Sequence, residues 1–297
     1  NIHVGQDESE LSDNLIKRLN AIEDMGGKQD LVLFIDGLDE HPEMTRVIPD
    51  SRSWLKVIVS ARPVEAVLDW WRGHDRERRS EETIGPMHEK DIRALLYGVV
   101  DKYQESFNET FVEEVKERSQ GNPLYLKLLC DQIYDQGGRV GSPETLPKEM
   151  ADLYALTIKR VSQGENGKHV LTVLRLLSEA KAPLSIEAMA AMLHEFDSQE
   201  IRSAIDGCRE LLFEDPLTHH ADDYQLFHES LREWLGKNHV KECQVMAKRL
   251  ADFCFEWTHI EDNEARKYAL AHAADHLFDL NDHERLWTLL QDEDYRK

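Results

Sequence analysis

Two short, mainly apolar runs near the amino end of the chain predict strands, at 31–35 and 55–60. Such runs are typical of strands that are buried on both faces of a parallel sheet. The residues between the runs are numerous enough for a crossover connection, so the pair is predicted to be parallel. A weaker third strand is predicted at 82–84. A helix is predicted before the first strand, at 11–25, where apolar residues recur at helical spacing.

From residue 89 onwards, apolar positions recur every three or four residues, which predicts a mostly helical remainder. Gly121-Asn122-Pro123 interrupts this pattern, and a stretch rich in glycine and proline at 137–147 is interpreted as a linker. An alternating segment at 224–227 predicts a strand. The helices that follow the first interruption are predicted at 124–134, 150–161, 169–180, 185–196, 198–213, 228–237, 245–255, 265–278 and 284–290.

The order of these elements predicts four modules, at 1–86, 87–165, 166–238 and 239–297. The first module is of the α/β type, and the second and fourth are helical. In the third module, three helices, a β-ribbon and a last helix make a winged-helix arrangement. That arrangement often binds DNA through its third helix.

Composition and charge remove several classes of partner. A net charge of −22 argues against nucleic acid, because proteins that bind the phosphate backbone usually present a basic face. In the third helix of the winged arrangement, Arg202 and Arg209 are balanced by acidic neighbours, so DNA binding is not expected. No apolar run approaches the roughly 20 residues that span a bilayer. We therefore expect no membrane partner and a cytoplasmic location, with the four scattered cysteines as buried free thiols.

Three acidic residues follow the first predicted strand: Asp36, Asp39 and Glu40. The carboxyl ends of parallel strands are where open α/β sheets bind ligands, so these carboxylates are expected to cluster there. Carboxylates at that place suit a hard cation and the phosphates that it binds. The alternative is a buried strand that is followed by an ordinary polar turn.

Four segments stand in a fixed order and together resemble the STAND class of signalling P-loop NTPases, the NACHT type more than the NB-ARC type. The terminal segment at 268–292 is similar to the helical region that precedes WD40 or other repeats in many such proteins. The resemblance implies an α/β remnant of a P-loop NTPase parallel sheet, followed by mostly α-helical domains that include a winged helix. The four segments are LVLFIDGLDE (31–40), VIVSARP (57–63), GNPLYLKLL (121–129) and FHESLREWL (227–235).

The resemblance implies roles for the residues around the two strands. Asp36 matches the aspartate that is associated with Mg²⁺, and Asp39 and Glu40 match the acidic pair that polarises the attacking water. Arg62 matches a sensor arginine, whose permanent charge would respond to a γ-phosphate. The alternatives are solvated acids in a turn and a surface arginine that begins a loop.

Two more residues match the family in the helical part. Pro123 corresponds to the proline that packs near the adenine base, although its fixed φ also makes it a plain helix starter. His228 corresponds to a winged-helix histidine that reaches the β-phosphate of ADP and keeps the molecule closed. A structural histidine in the core beside Phe227 is the competing interpretation.

One departure from the family pattern stands out: no G-x-x-x-x-G-K-[ST] segment occurs in the sequence. The loop whose amide groups would hold the phosphates is therefore missing. The family places that loop before the acidic strand end, and the first residue, Asn1, is not a methionine. We expect the chain to be an interior piece of a larger receptor, which binds nucleotide poorly by itself.

The function that the resemblance implies is a nucleotide-gated signal-transduction switch, closed with ADP, and open and oligomerising with ATP and Mg²⁺. An upstream effector and a downstream repeat sensor would be its partners, in defence or cell-death signalling. The alternatives are a non-catalytic interaction scaffold with a degenerate NTPase fold and a replication-type ATPase of the AAA+ class. A metal-dependent hydrolase that uses the three acids lacks a histidine partner at suitable spacing.

Overall fold

The chain folds into two compact units, Asn1–Ile84 and Gly85–Lys297, in a computed structural model. The more finely divided modules that the sequence predicts within the second unit stay predictions. The structure describes residues 15–22, 31–39, 42–46, 48, 54–73, 80–100, 109–135, 142, 144, 146–164, 166–214 and 223–296.

The first unit contains a parallel pair of strands, as predicted. Strands β1 (Leu31–Ile35) and β2 (Leu55–Val59) are rich in branched apolar residues, and they pair in register from Leu31 opposite Leu55 to Ile35 opposite Val59. Helix α1 (15–22) is the described part of the helix predicted at 11–25, and its other residues lie outside the described ranges. A 3₁₀-helix at Pro42–Arg46 and helix α2 (Glu65–Arg72) complete the described elements of this unit.

Two expectations for the first unit are wrong. No strand forms at 82–84, where the side chain of Ile84 is 91% exposed. The prediction that β1 is buried on both faces is also wrong, because Val32, Phe34 and Ile58 are exposed on one face of the pair. An apolar run favours the extended backbone, but a strand face is buried only if another element covers it.

Four helices open the second unit, and the break at Gly121-Asn122-Pro123 separates two of them, as predicted. Ile92 and Leu96 of the first helix and Phe111, Val112 and Val115 of the second lie in the core, each at most 2% exposed. The third helix packs against the other three. The four are α3 (Glu89–Val100), α4 (Glu109–Ser119), α5 (Pro123–Asp135) and α6 (Met150–Val161).

Helices and a small antiparallel sheet alternate in the next segment. The three strands of the sheet are hydrogen-bonded in the order β3, β5, β4. Ser185 caps α8 through its hydroxyl, which accepts the N–H of Ala188, and Asp197 and Glu200 form a complete capping box on α9. In chain order the elements are α7 (Gly167–Glu179), β3 (Leu184–Ser185), α8 (Ile186–Met192), α9 (Ser198–Gly207), β4 (Leu212–Glu214), β5 (Asp223–Leu226) and α10 (Glu229–Asn238).

The helix predicted at 198–213 is too long. Helix α9 ends at Gly207, a 3₁₀-turn follows at Arg209–Leu211, and the remaining residues belong to β4. Within β4, Leu212 pairs with Leu226 of β5. The apolar spacing is compatible with a helix, but pairing with β5 decides the backbone conformation.

The last three helices extend the same core, with α11 packed on α7 and α12 packed on α11. All four cysteines are buried free thiols, as predicted. No helix in the described ranges has both the length and the apolar content needed to cross a membrane. The three helices are α11 (Val240–Phe255), α12 (Asn263–Asp279) and α13 (His283–Gln291).

Gly121 allows the close turn between α4 and α5. Its φ of 70° lies in the left-handed region, and its carbonyl accepts the N–H of Met87 at 2.9 Å. A Cβ at this position would lie 2.6 Å from the Cβ of Pro86 and 2.9 Å from the backbone nitrogen of Met87. The turn therefore needs a glycine for both conformation and space.

We predict that Gly121→Ala destabilises the second unit by roughly 2–4 kcal/mol, from backbone strain and overpacking together. The matched control is Gly98→Ala, which adds a Cβ on α3 where, apart from the backbone of the helix itself, no atom of the described residues lies within 4 Å. That change should be neutral or should stabilise by up to about 1 kcal/mol. Urea unfolding measures both variants, and equal stabilities would contradict the role of Gly121.

A buried tyrosine of α12 contacts both the turn after α7 and a buried histidine of the same helix. The hydroxyl of Tyr268 accepts the backbone N–H of Lys181 at 3.0 Å and is hydrogen-bonded to Nε2 of His276 at 2.9 Å. Burial, together with the charges of Lys181 and His272, lowers the pKa of His276 from 6.5 to about 4, and the opposing effect of Asp275 and Asp279 is smaller. The ring is therefore neutral in the folded protein at neutral pH.

We predict that acid destabilises the second unit through His276. In the unfolded chain His276 takes up a proton below pH 6.5, whereas in the folded chain it does so only near pH 4. The neutral ring therefore contributes its full stability above pH 6.5, and this contribution is lost as the pH falls from 6.5 to about 4. The loss should be roughly 3 kcal/mol. Urea unfolding across this range should show a smaller loss for His276→Gln, and the same loss as in the parent for His283→Gln, which changes an exposed histidine.

Candidate functional site

The carboxyl ends of β1 and β2 form the first part of the candidate site. Because the strands are in register, the residue after β1, Asp36, comes opposite the residue after β2, Ser60. The Ser60 hydroxyl donates to Oδ1 of Asp36 and accepts the N–H of Gly37 at 3.1 Å. This serine therefore fixes the direction of the exposed Asp36 carboxylate.

Asp39 and Arg62 form an ion pair at the same edge. The backbone N–H of Arg62 donates to Oδ1 of Asp39 at 2.8 Å, and the Nε–H donates to Oδ2 at 2.5 Å. Burial raises the pKa of the Asp39 carboxyl, but the hydrogen bonds and the charge of Arg62 outweigh burial, so the pKa is lowered from 3.8. The Asp39 side chain is 4% exposed, whereas that of Arg62 is 53% exposed.

This arrangement constrains what the edge can do chemically. Both carboxylate oxygens of Asp39 accept hydrogen bonds from Arg62, so activation of a water by Asp39 requires the pair to open. Asp36 presents hard oxygen atoms to solvent and suits Mg²⁺ that is held largely by water and phosphate. In the ranges that the structure describes, no group of three or more His, Cys, Asp or Glu side chains could hold a metal ion.

Pro123 is exposed at the first position of α5. The side-chain oxygen of Asn122 accepts the N–H of Leu124 at 2.9 Å and that of Tyr125 at 3.3 Å, so the helix begins with a proline and a capping asparagine. The local role of Pro123 is therefore to begin α5. The predicted contact with an adenine base stays a prediction.

His228 is the N-cap of α10. Its Nδ1 accepts the backbone N–H of Ser230 at 3.0 Å, and the hydroxyl of Ser230 lies 2.8 Å from the same nitrogen. The residue is exposed, and its ring centroid is 6.2 Å from that of Phe227. The interpretation of His228 as a core histidine is therefore wrong, because the ring lies at the surface.

The structure thus brings three of the predicted site residues to one edge in the first unit: Asp36, Asp39 and Arg62. Glu40 lies outside the described residues. Pro123 and His228 belong to the second unit.

Sequence analysis missed Ser60, the residue that orients Asp36. The signal that would have found it is the parallel register, because residue 60 follows β2 as residue 36 follows β1. A hydroxyl group on residue 60 can therefore reach the carboxylate of Asp36.

A separate open hollow of about 610 Å³ lies where α8, α11 and the start of α12 meet. Its floor is apolar, with Phe253 and Ile260, and Glu256 and Asp262 are among the acids that line it. Of the predicted site residues that the structure describes, none is among the residues that line it.

The chain matches no protein-family model and no curated protein. The candidate site therefore rests on the geometry of its own residues.

We predict that Arg62→Gln raises the pKa of Asp39, because the carboxyl keeps its burial and loses the guanidinium. A carbon-13 titration of the side-chain carboxyls measures this pKa. Arg72→Gln is the matched control, since Arg72 pairs with Glu65 and Asp69 on the surface of α2. An Asp39 pKa that stays low in Arg62→Gln would refute our assignment of the cause.

The same pair should give stability a defined pH dependence. A lowered carboxyl pKa contributes stability above the ordinary carboxyl pKa, and this contribution is lost as the pH falls through the folded-state value. The stability difference between the parent and Arg62→Gln should therefore be full at neutral pH and shrink below about pH 4.

Proposed function

We propose that this chain is the switch portion of a nucleotide-gated signalling NTPase of the STAND class and NACHT type. The observation that supports this most directly is the strand-end edge, where Ser60 orients Asp36 and Asp39 holds Arg62. An oriented carboxylate beside a permanently charged guanidinium suits a magnesium-bound phosphate group. ATP or ADP with Mg²⁺ is the proposed ligand.

In this proposal, the ion pair of Asp39 and Arg62 responds to the γ-phosphate. A phosphate is a strong bidentate partner for arginine and competes with Asp39 for the guanidinium. Once Arg62 turns to the phosphate, the Asp39 carboxylate becomes available to polarise a water, together with Glu40. ATP would thereby assemble its own hydrolytic site, whereas ADP would leave the pair closed.

The second unit supports the switching part of the proposal. The order of α7 to α10, with the antiparallel strands β3, β4 and β5 between them, supports the winged helix that we propose here. His228 is exposed at the start of α10, where its ring can donate a hydrogen bond to an anionic oxygen of ADP. Loss of that hydrogen bond on exchange to ATP would release the closed state and permit oligomerisation.

DNA is not proposed as a partner of the winged helix. Arg209 of the third helical segment lies 3.8 Å from Asp206 and Glu200 caps the helix, so the local charges are balanced. The net charge of −22 opposes binding to a polyanion. Effector and repeat-sensor modules, and a role in defence or cell-death signalling, follow from the family resemblance alone.

A non-catalytic scaffold is the second candidate. It is favoured by the hydrogen bonds that Asp39 makes to Arg62 through both carboxylate oxygens, which leave the proposed water-polarising group occupied. A scaffold would bind nucleotide with the same affinity whether or not Mg²⁺ and Asp36 are present.

We predict that Asp36→Asn weakens binding of ATP in Mg²⁺ by at least tenfold and changes binding in EDTA little, because only the magnesium-bound form needs the carboxylate. The measurement is titration calorimetry on the longest natural chain that contains these residues. Asp69→Asn, an exposed acid of α2, is the control and should bind as the parent does. Unchanged magnesium dependence in Asp36→Asn would contradict the proposal.

In the same protein, His228→Ala should release ADP several-fold faster and raise signalling without a trigger. The control is His283→Ala, which changes another exposed histidine of the second unit. If ADP release and signalling in His228→Ala equal those of the parent, the closed state does not depend on this ring.

A further inference from the structure

A chain of three polar side chains joins α6 to the start of α10. The hydroxyl oxygens of Tyr154 and Ser230 lie 2.7 Å apart, and the Ser230 hydroxyl lies 2.8 Å from Nδ1 of His228. Tyr154 and Ser230 are 76 residues apart in the sequence. We call these three side chains the relay.

The direction of the hydrogen bonds follows from the backbone. The N–H of Ser230 can only donate, so Nδ1 of His228 is an acceptor and bears no proton. Because Nδ1 bears no proton, its contact with the Ser230 hydroxyl is a hydrogen bond only when the hydroxyl donates, and the Ser230 oxygen then accepts from the Tyr154 hydroxyl. In the neutral ring the proton is therefore on Nε2, the nitrogen that does not contact the helix cap.

Tyr154 is the fixed end of the relay. Its side chain is 1% exposed on α6, and its ring centroid is 6.1 Å from that of Trp234 of α10. Burial raises the pKa of Tyr154 more than the hydrogen bond to Ser230 lowers it, so the hydroxyl stays protonated and remains a donor at neutral pH. The exposed histidine is thus held by a group that cannot move without repacking α6 against α10.

We propose that Tyr154 and Ser230 are positioning residues for His228, which hold its neutral ring with Nε2–H available to an anionic oxygen. That the oxygen belongs to a nucleotide phosphate rests on the proposed function. The relay also makes the ring sensitive to α6, because separation of α6 from α10 breaks the contact of Tyr154 with Ser230. Helix packing and anion binding at His228 are then coupled.

A purely structural cap is the competing explanation for Ser230. In that case the backbone N–H of Ser230 alone would hold the ring, and the two hydroxyls would contribute stability without affecting the ring. A direct observable of the ring separates the two explanations: the nuclear magnetic coupling across the N–H···Nδ1 hydrogen bond between Ser230 and His228.

The experiment measures this coupling in the nitrogen-15-labelled chain without any nucleotide, with His228→Asn to assign the signal. Tyr154→Phe and Ser230→Ala should each reduce the coupling at least twofold, because the ring leaves the cap more often. Ser230→Thr keeps a hydroxyl at this position and should therefore keep the coupling. Tyr125→Phe is the matched control, since it removes another buried tyrosine hydroxyl, which donates to the carbonyl of Pro147.

A coupling that is unchanged in both Tyr154→Phe and Ser230→Ala would overturn the relay, whatever the chain binds. Equal loss in Tyr125→Phe would overturn it too, because the effect would then be general destabilisation.

A second measurement addresses the ligand, with Mg²⁺–ADP release from the longest natural chain. Tyr154→Phe and Ser230→Ala should speed release several-fold and add nothing in the His228→Ala background. If the coupling falls as expected but His228→Ala releases ADP at the parent rate, the relay stands and the proposed function fails. If His228→Ala speeds release and the two relay variants do not, the relay does not position the ring for ADP.

Discussion

The burial of α7 is the constraint on which the second unit depends. Val173, Leu174 and Leu176 are 0% exposed, and α6, α9, α10, α11 and β5 all pack around this helix. The last carbonyl groups of a helix have no partner within the helix and need one elsewhere, which is often water. Arg232 of α10 donates to the carbonyls of Ser178 and Ala180 instead, so α10 is tied to the end of α7. The position of His228 at the start of α10 is thus a consequence of core packing.

In the first unit the comparable constraint is strand register. Parallel pairing of Ile35 with Val59 places Asp36 beside Ser60, and the turn that follows brings Asp39 to Arg62. The ion pair stabilises the folded edge, yet it occupies the carboxylate to which the proposed function assigns a role on water. A phosphate that competes for Arg62 would resolve this conflict, which is why the pair suits a switch better than a permanently assembled hydrolytic site.

The same physical device occurs once in each unit: a serine hydroxyl that orients a functional group. Ser60 directs the Asp36 carboxylate, and Ser230 directs the His228 ring. Each serine also contacts a residue that is far from it in the sequence. Ser60 and Asp36 are 24 positions apart, and Ser230 and Tyr154 are 76 positions apart. Such support fixes an exposed polar group that would otherwise sample many rotamers.

The sequence alone determined the bounds of β1 and α6, the break between α4 and α5 and the burial of the cysteines, because periodicity and turn residues report local conformation. It also predicted that Asp36 and Asp39 lie at the carboxyl edge of the strand pair, because parallel strands align their carboxyl ends, whereas Arg62 was assigned to the site by the family resemblance alone. Tertiary structure alone decided that 212–214 is a strand, that Phe34 is exposed, and that Ser60, Ser230 and Tyr154 support the site. Those outcomes depend on which distant segment arrives as a partner, and a local pattern does not contain that information.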